Sequence, residues 1–214
     1  MRGFTHINTW IFDLDNTLYP ASCKLFDQMH VRMSDFIRDR FAVDEAEALR
    51  RRRDYYLKYG TTLRGLMVEH DMEPAAFLDY VHDIDYSAVP LLENLNQALA
   101  NLPGRKLIFT NGTTGHANRV LKKLGVTDHF EAVFDIVDSD YIPKPDRTPY
   151  DKFQNLHGIE GNRSAFFEDL PANLKAPHDM GMTTVLITDD NKHDANYVHH
   201  TTSNLAEFLK GVTP

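Results

Sequence analysis

An apolar triplet, Trp10-Ile11-Phe12, runs straight into two carboxylates, Asp13 and Asp15, and this junction constrains the chain more than any other stretch. The triplet reads as a buried strand whose C-terminal tip carries both acids. Residues two apart in a strand point to one side, about 6.6 Å apart along the chain. Two carboxylates so placed repel each other, and neither ionises comfortably at a buried edge without a counter-charge. A hard divalent cation bound through oxygen atoms resolves the conflict. The same residues also suit a plain strand followed by an Asp-Asn turn. The rest of the chain has to decide between the two.

After Tyr19-Pro20 the pattern becomes helical. Leu25, Phe26, Met29, Met33, Phe36, Ile37 and Phe41 make one apolar stripe at helical spacing. A polar, arginine-rich helix is expected over Asp44–Lys58, ended by Gly60, and shorter helices over Leu63–His70 and Pro74–His82. From Leu91 strands and helices alternate. Helix is expected over Leu91–Asn101, strand over Lys106–Thr110, helix over His116–Leu124 and strand over Ala132–Val137. A helix opened by Thr148 as N-cap and Pro149 follows, then strands Ser164–Glu168 and Thr183–Thr188 with helix over Leu170–Gly181 between them. Strands separated by helices give a parallel sheet covered on both faces. The expected fold is α/β, a Rossmann-like parallel core built from residues 1–19 and 87–214, with an all-helical cap domain inserted at 20–86.

In such sheets ligands bind beyond the carboxyl ends of the strands. The polar residues stand there: Asp13 and Asp15 after the first strand, Thr110-Asn111-Gly112 after the second, Lys144 between two prolines after the third, and Glu168-Asp169 after the fourth. Four segments with chemistry at four strand exits favour a site over an incidental turn. The net charge of −8 argues against sequence-independent binding to a nucleic acid backbone. No apolar run approaches the ~18 residues of a membrane span, and no basic-then-apolar leader is evident at the N-terminus. The single cysteine, Cys23, excludes an intramolecular disulfide and fits a reducing cytoplasm, the expected location. The expected partner is a small phosphorylated substrate, with no nucleic acid and no membrane.

Together these motifs resemble the haloacid dehalogenase superfamily of phosphohydrolases over nearly the whole chain: Asp13-Leu14-Asp15-Asn16-Thr17, then Thr110, Lys144 and Glu168-Asp169 in order. Ile11–Tyr19 with Tyr59-Gly60-Thr61-Thr62-Leu63-Arg64-Gly65-Leu66 is similar to its pyrimidine 5′-nucleotidase branch. The resemblance implies that Asp13 is the nucleophile, forming an aspartyl-phosphate, and that Asp15 is the general acid and then base. It implies Mg²⁺ held by the Asp13 carboxylate, the Asp15 carbonyl and Asp169, with Glu168 in the outer shell. Thr110 and the Asn111 and Gly112 amides would hold phosphate oxygens, and Lys144 would neutralise Asp13 and the phosphoryl group. Tyr59, Thr61 and Thr62 in the insertion would face the substrate base. Glu168-Asp169 departs from the family's usual Gly-Asp or Asp-Asp, and Asn173 is neutral where many relatives carry an acid.

Other readings lose on chemistry. No His-Glu-x-x-His accompanies the eleven histidines, and adjacent His199 and His200 do not readily share one zinc ion. Cys23 lacks the His/Asn signature of a nucleophilic thiol. Arg50–Arg53 suit a solvated helix face. A sugar-phosphate or phosphoglycolate phosphatase or a phosphomutase would share the core, since the insertion sets the substrate. A halide-removing enzyme has no use for Asp15. A phospho-aspartate signalling module would share the Asp, Thr and Lys set but has no inserted helical segment of this length.

Overall fold

All four residues of β1 (Thr9–Phe12) are buried, because a strand with parallel neighbours and helices on both faces has no wet side. The computed structural model describes residues 3–190 and 195–212. β1 pairs on one side with β2 (Arg105–Phe109), which pairs with β3 (Ala132–Phe134). On the other side it pairs with β4 (Ser164–Glu168), followed by β5 (Thr183–Ile187) and β6 (His200–Thr202). Every pairing is parallel, and the order is β3-β2-β1-β4-β5-β6. The strand order reverses between β1 and β4, and the crevice beyond such a switch point is where ligands bind. Phe12 stands opposite Ile108 and Phe167, so Asp13 leaves the sheet level with the ends of β2 and β4.

Two apolar layers sandwich the sheet. Trp10, Phe12, Ile108 and Phe167 face one way, onto α5 (Glu93–Asn101), α6 (Thr114–Leu124) and α9 (Leu205–Val212). Ile11, Leu107, Phe109 and Phe166 face the other, towards α7 (Arg147–His157) and the short α8 (Lys175–Asp179). This alternation is the two-residue period of a strand read out in packing.

The stretch 20–86 carries α1 (Leu25–Phe41), α2 (Glu45–Tyr59), α3 (Thr62–His70) and α4 (Pro74–Val81). Met29, Ile37, Tyr55, Leu66, Phe77 and Val81 form a core there, closed by Ile136 from the loop after β3. Gly60 ends α2 with φ +82°, the left-handed conformation that glycine adopts without strain, and Thr61 caps α3 by accepting the Arg64 N–H at 3.1 Å. Among the described residues no helix is long and apolar enough to cross a membrane.

The structure departs from the expected elements in several places, and over Leu170–Gly181 it shows a 3-10 turn (Pro171–Leu174) followed by the short α8 instead of one helix. β3 stops at Phe134 rather than Val137, because the Asp135 carboxylate accepts the Val137 and Asp138 N–H groups and turns the chain. α7 opens at Arg147 with Asp146 as its N-cap, so Thr148 is not the cap; the Thr148 N–H donates to Asp146 instead. Beyond Thr188, where the sequence expectation stops, lie β6, a polar three-residue edge strand, and α9, whose stripe spans only two turns.

Gly65 lets α3 approach α2: a Cβ there would lie 2.4 Å from the Tyr55 Cβ. Gly65→Ala is therefore expected to lower the unfolding free energy by about 1–3 kcal/mol through overpacking. Chemical denaturation checks this, and unchanged stability would show that α3 shifts freely.

Candidate active site

The ends of β1, β2 and β4 meet at one buried ammonium. Lys144 Nζ lies 2.7 Å from Asp13 Oδ1, 2.7 Å from Glu168 Oε2 and 3.0 Å from the Phe109 carbonyl oxygen, using all three of its protons. Lys144 is only 3% exposed, so these bonds replace the water it has lost. Its main chain is clamped as well. The Asn111 amide donates to the Lys144 carbonyl at 3.3 Å, and its oxygen accepts the Lys144 N–H at 2.9 Å. The second Asp13 oxygen accepts from Thr17 at 3.0 Å, and the Asp13 N–H continues the ladder to Phe167.

Asp15 sits in a different network. Its Oδ1 accepts from the Tyr19 hydroxyl at 2.5 Å and lies 2.8 Å from His116 Nε2. Asn16, between the two acids, has φ +60°, a conformation Asn tolerates better than most side chains. His116 stands in the first turn of α6, whose N-terminus is fixed by Thr113 as cap and by Asp135, which accepts from the Thr114 N–H at 2.7 Å.

The electrostatics divide along the same line. Burial and the Glu168 charge push Asp13 up to about 7, against the pull of Lys144. Burial likewise carries Glu168 to about 7, opposed by Lys144, and Asp169 to about 6, helped by Asp13. Burial pulls the Lys144 ammonium down, but Asp13 and Glu168 more than reverse it and leave it raised. Burial also opposes ionisation of Asp15, yet His116 and then Tyr19 overcome it and hold that carboxyl below the usual range.

Among the described residues, Asp13, Glu168 and Asp169 each bring one carboxylate oxygen within 4.8 Å of the others. Three carboxylates face one ammonium, so the cluster holds surplus negative charge. An all-oxygen donor set with surplus charge fits a hard divalent cation such as Mg²⁺. Glu168, expected only in an outer shell, belongs to this cluster while one of its oxygens is taken by Lys144.

The expected phosphate-binding residues lie at the same strand ends. Thr110 is 1% exposed, and its hydroxyl accepts the Gly112 N–H at 2.9 Å, so that amide is engaged within the loop. The α2–α3 turn reaches the site from the helical side: a Cβ on Gly60 would lie 3.3 Å from Pro143 and 3.8 Å from the Lys144 carbonyl oxygen. Thr61 is spent on its cap, and the Tyr59 hydroxyl donates to Glu69 at 2.8 Å. Thr62 is buried beside them. Sequence reasoning missed Thr17, Tyr19, Asn111 as a side-chain clamp, and His116. Thr17 and Tyr19 each follow an aspartate by four residues, a spacing that was readable. His116 lies 101 residues from Asp15, and no spacing announces it.

The family profile described as haloacid dehalogenase-like hydrolase matches residues 7–181. Phosphate metabolism protein 8 of Saccharomyces cerevisiae is 30% identical, over 93% of this chain and 68% of its own length. A haloacid dehalogenase (HAD) phosphatase from Thermococcus onnurineus superposes with a TM-score of 0.64 at 19% identity, covering 96% of this chain and 98% of that one. L-2-haloacid dehalogenase from Xanthobacter autotrophicus, solved with chloropropionic acid covalently bound, gives 0.60 at 16% identity, covering 96% and 98%. At these identities the two structures speak for the fold alone.

The raised carboxyl groups set the pH response of the metal-free protein. Asp13, Glu168 and Asp169 keep protons in the folded state that the unfolded chain, at 3.8 to 4.5, has already released. Folding binds protons between those values and about 7, so their contribution to stability falls as pH rises through that window. Mg²⁺ should therefore raise the melting temperature more at about pH 8 than at about pH 5, and Asp169→Asn should reduce that difference. Calorimetry with and without chelator checks both; a Mg²⁺ effect independent of pH would contradict the cluster.

Proposed function

The chain belongs to the haloacid dehalogenase-like hydrolases, and on that premise we propose that it hydrolyses phosphate monoesters through phosphorylation of Asp13, with a pyrimidine nucleoside 5′-monophosphate as substrate. The observation that carries this reading is the charge at the nucleophile. One buried lysine faces three carboxylates, an arrangement suited to a cation and an anionic phosphoryl group together.

The Asp13 carboxylate attacks phosphorus while the bond from phosphorus to the ester oxygen breaks. Asp15 gives its proton to that oxygen, and the alcohol leaves. Asp15, now a carboxylate, takes a proton from the water that attacks the aspartyl-phosphate; inorganic phosphate departs and Asp13 is restored. Asp15 rests below the usual carboxyl range in the free protein. The negative phosphoryl group, arriving beside it, raises its proton affinity before the first step. Lys144 offsets charge on Asp13 and on the phosphoryl oxygens throughout. Bound Mg²⁺, held by Asp13, Asp169 and the Asp15 carbonyl with Glu168 alongside, would supply further positive charge to those oxygens.

Halide displacement, the other chemistry named among the structural neighbours, releases an anion that needs no proton. It gives Asp15 no task and the Asp13–Glu168–Asp169 cluster no purpose.

Asp13→Asn is expected to lower phosphate release by about 10³-fold or more while leaving the melting temperature intact or raised. Activity retained within about tenfold of the wild type would overturn the covalent route. Chelation should abolish turnover, with Mg²⁺ or Mn²⁺ restoring it and Ca²⁺ restoring it poorly, because calcium's looser shell misplaces the phosphoryl group.

Specificity has to come from the helical side, since any phosphomonoester offers the same phosphate. Gly60 packs against Pro143, bringing the Tyr59–Thr62 turn to the Lys144 loop. Uridine or cytidine monophosphate is expected to be hydrolysed with at least about tenfold higher kcat/KM than adenosine monophosphate. Thr62→Val should narrow that gap with little effect on p-nitrophenyl phosphate. Equal loss on both substrates, or a preference for sugar phosphates across a panel, would refute the assignment.

A further inference from the structure

We propose that His116 is the positioning residue of Asp15, fixing which carboxylate oxygen faces the substrate; the inference rests on the acid and base role assigned to Asp15 above. Both bonds to Asp15 converge on one oxygen. Oδ1 accepts from Tyr19 at 2.5 Å and meets His116 Nε2 at 2.8 Å. Oδ2 takes neither bond and points to the space beside Gly112, where an added Cβ would lie 3.7 Å from it. That Cβ would also stand 3.1 Å from His116 Cδ2, so the absence of a side chain at Gly112 leaves room for both groups.

The imidazole is itself held from behind. Its Nδ1 lies 3.0 Å from the Tyr86 hydroxyl, which donates to the His82 carbonyl at 3.0 Å. The His82 ring stacks on it with centroids 4.7 Å apart. Arg119 also donates to the His82 carbonyl, and its guanidinium lies over the Tyr86 ring at 5.2 Å. His116 is fully buried, so no water competes for either nitrogen. An ordinary core histidine would be satisfied by Tyr86 and the stacking partner. Here the second nitrogen is spent on the carboxylate that must hand over a proton, and small errors in placing such a group are costly.

The test uses leaving groups. p-Nitrophenolate departs readily without a proton, whereas an alkoxide does not. A defect in presenting Asp15 should therefore damage kcat/KM for n-butyl phosphate far more than for p-nitrophenyl phosphate, and a general loss of structure should damage both alike. His116→Ala is expected to lose about 10- to 100-fold more on the alkyl than on the aryl ester, within the range general acid catalysis supplies. His116→Gln, which returns an N–H donor near the Nε2 position, should recover much of the difference. Tyr86→Phe, which removes the hydroxyl and keeps the ring, should show the same selective loss to a smaller degree, and it carries the test if His116→Ala does not fold.

Asp13→Asn, measured in parallel, separates the possible failures. If it is inactive and the His116 and Tyr86 variants lose equally on both esters, or lose nothing, the positioning role is overturned and the phosphatase reading stands. If Asp13→Asn remains active, or the wild type releases no phosphate from either ester, the phosphatase reading falls and takes this inference with it.

Discussion

The Lys144 ammonium, 2.7 Å from both Asp13 and Glu168, is the contact on which the site depends. Burying a charge is costly unless its hydrogen bonds are made and its partners are close. All three protons are used, the third on the Phe109 carbonyl at the end of β2. One atom therefore joins the tips of β1, β2 and β4, and the Asn111 clamp holds the loop that delivers it. Removing the ammonium would leave the buried carboxylates without their counter-charge, at a typical cost of about 3–5 kcal/mol. The surplus carboxylate charge works in the opposite sense. Together with burial it raises the proton affinity of the metal-free carboxyl groups and makes a cation a favourable occupant.

Much of this was legible in the chain because the pieces obey short-range rules. A buried parallel strand must be a continuous apolar run, so Trp10–Phe12, Leu107–Phe109 and Ala165–Phe167 announce themselves, and the polar residue that ends each run marks the ligand end of the sheet. Lys144 was marked by the prolines on either side. What stayed hidden depends on long-range geometry. Asn111 was read for its backbone amide, whereas its side chain reaches 33 residues onward to Lys144. Asp135 anchors the α6 N-terminus across 21 residues, which no spacing announces, whereas the turn by which it cuts β3 short is local and was passed over. β6 is too short and too polar to show strand periodicity at all.

Structural neighbours of this fold include both a phosphatase and a dehalogenase, so architecture alone does not choose between them. The choice lies in side chains at the same strand ends. A nucleophilic carboxylate and a lysine serve either reaction. The second carboxylate, bonded by a tyrosine and facing a histidine, and the two further acids beside Asp13 are the features on which the phosphatase reading proposed above rests.

The two acids of the motif answer to different parts of the molecule. Asp13 is fixed at the strand ends, by the ladder bond to Phe167 in β4, by Lys144 from the loop after β3 and by Thr17 from the turn after β1. Asp15 is fixed from the junctions of the inserted helices. Tyr19 stands where the chain leaves the sheet for α1, while His82 and Tyr86 stand where it returns from α4. Both crossings thus end on one carboxylate oxygen, directly or through His116. A displacement of the helices that lengthened the Tyr86 to His116 contact would loosen Asp15, while one that moved Gly60 off Pro143 would act on the loop that carries Lys144.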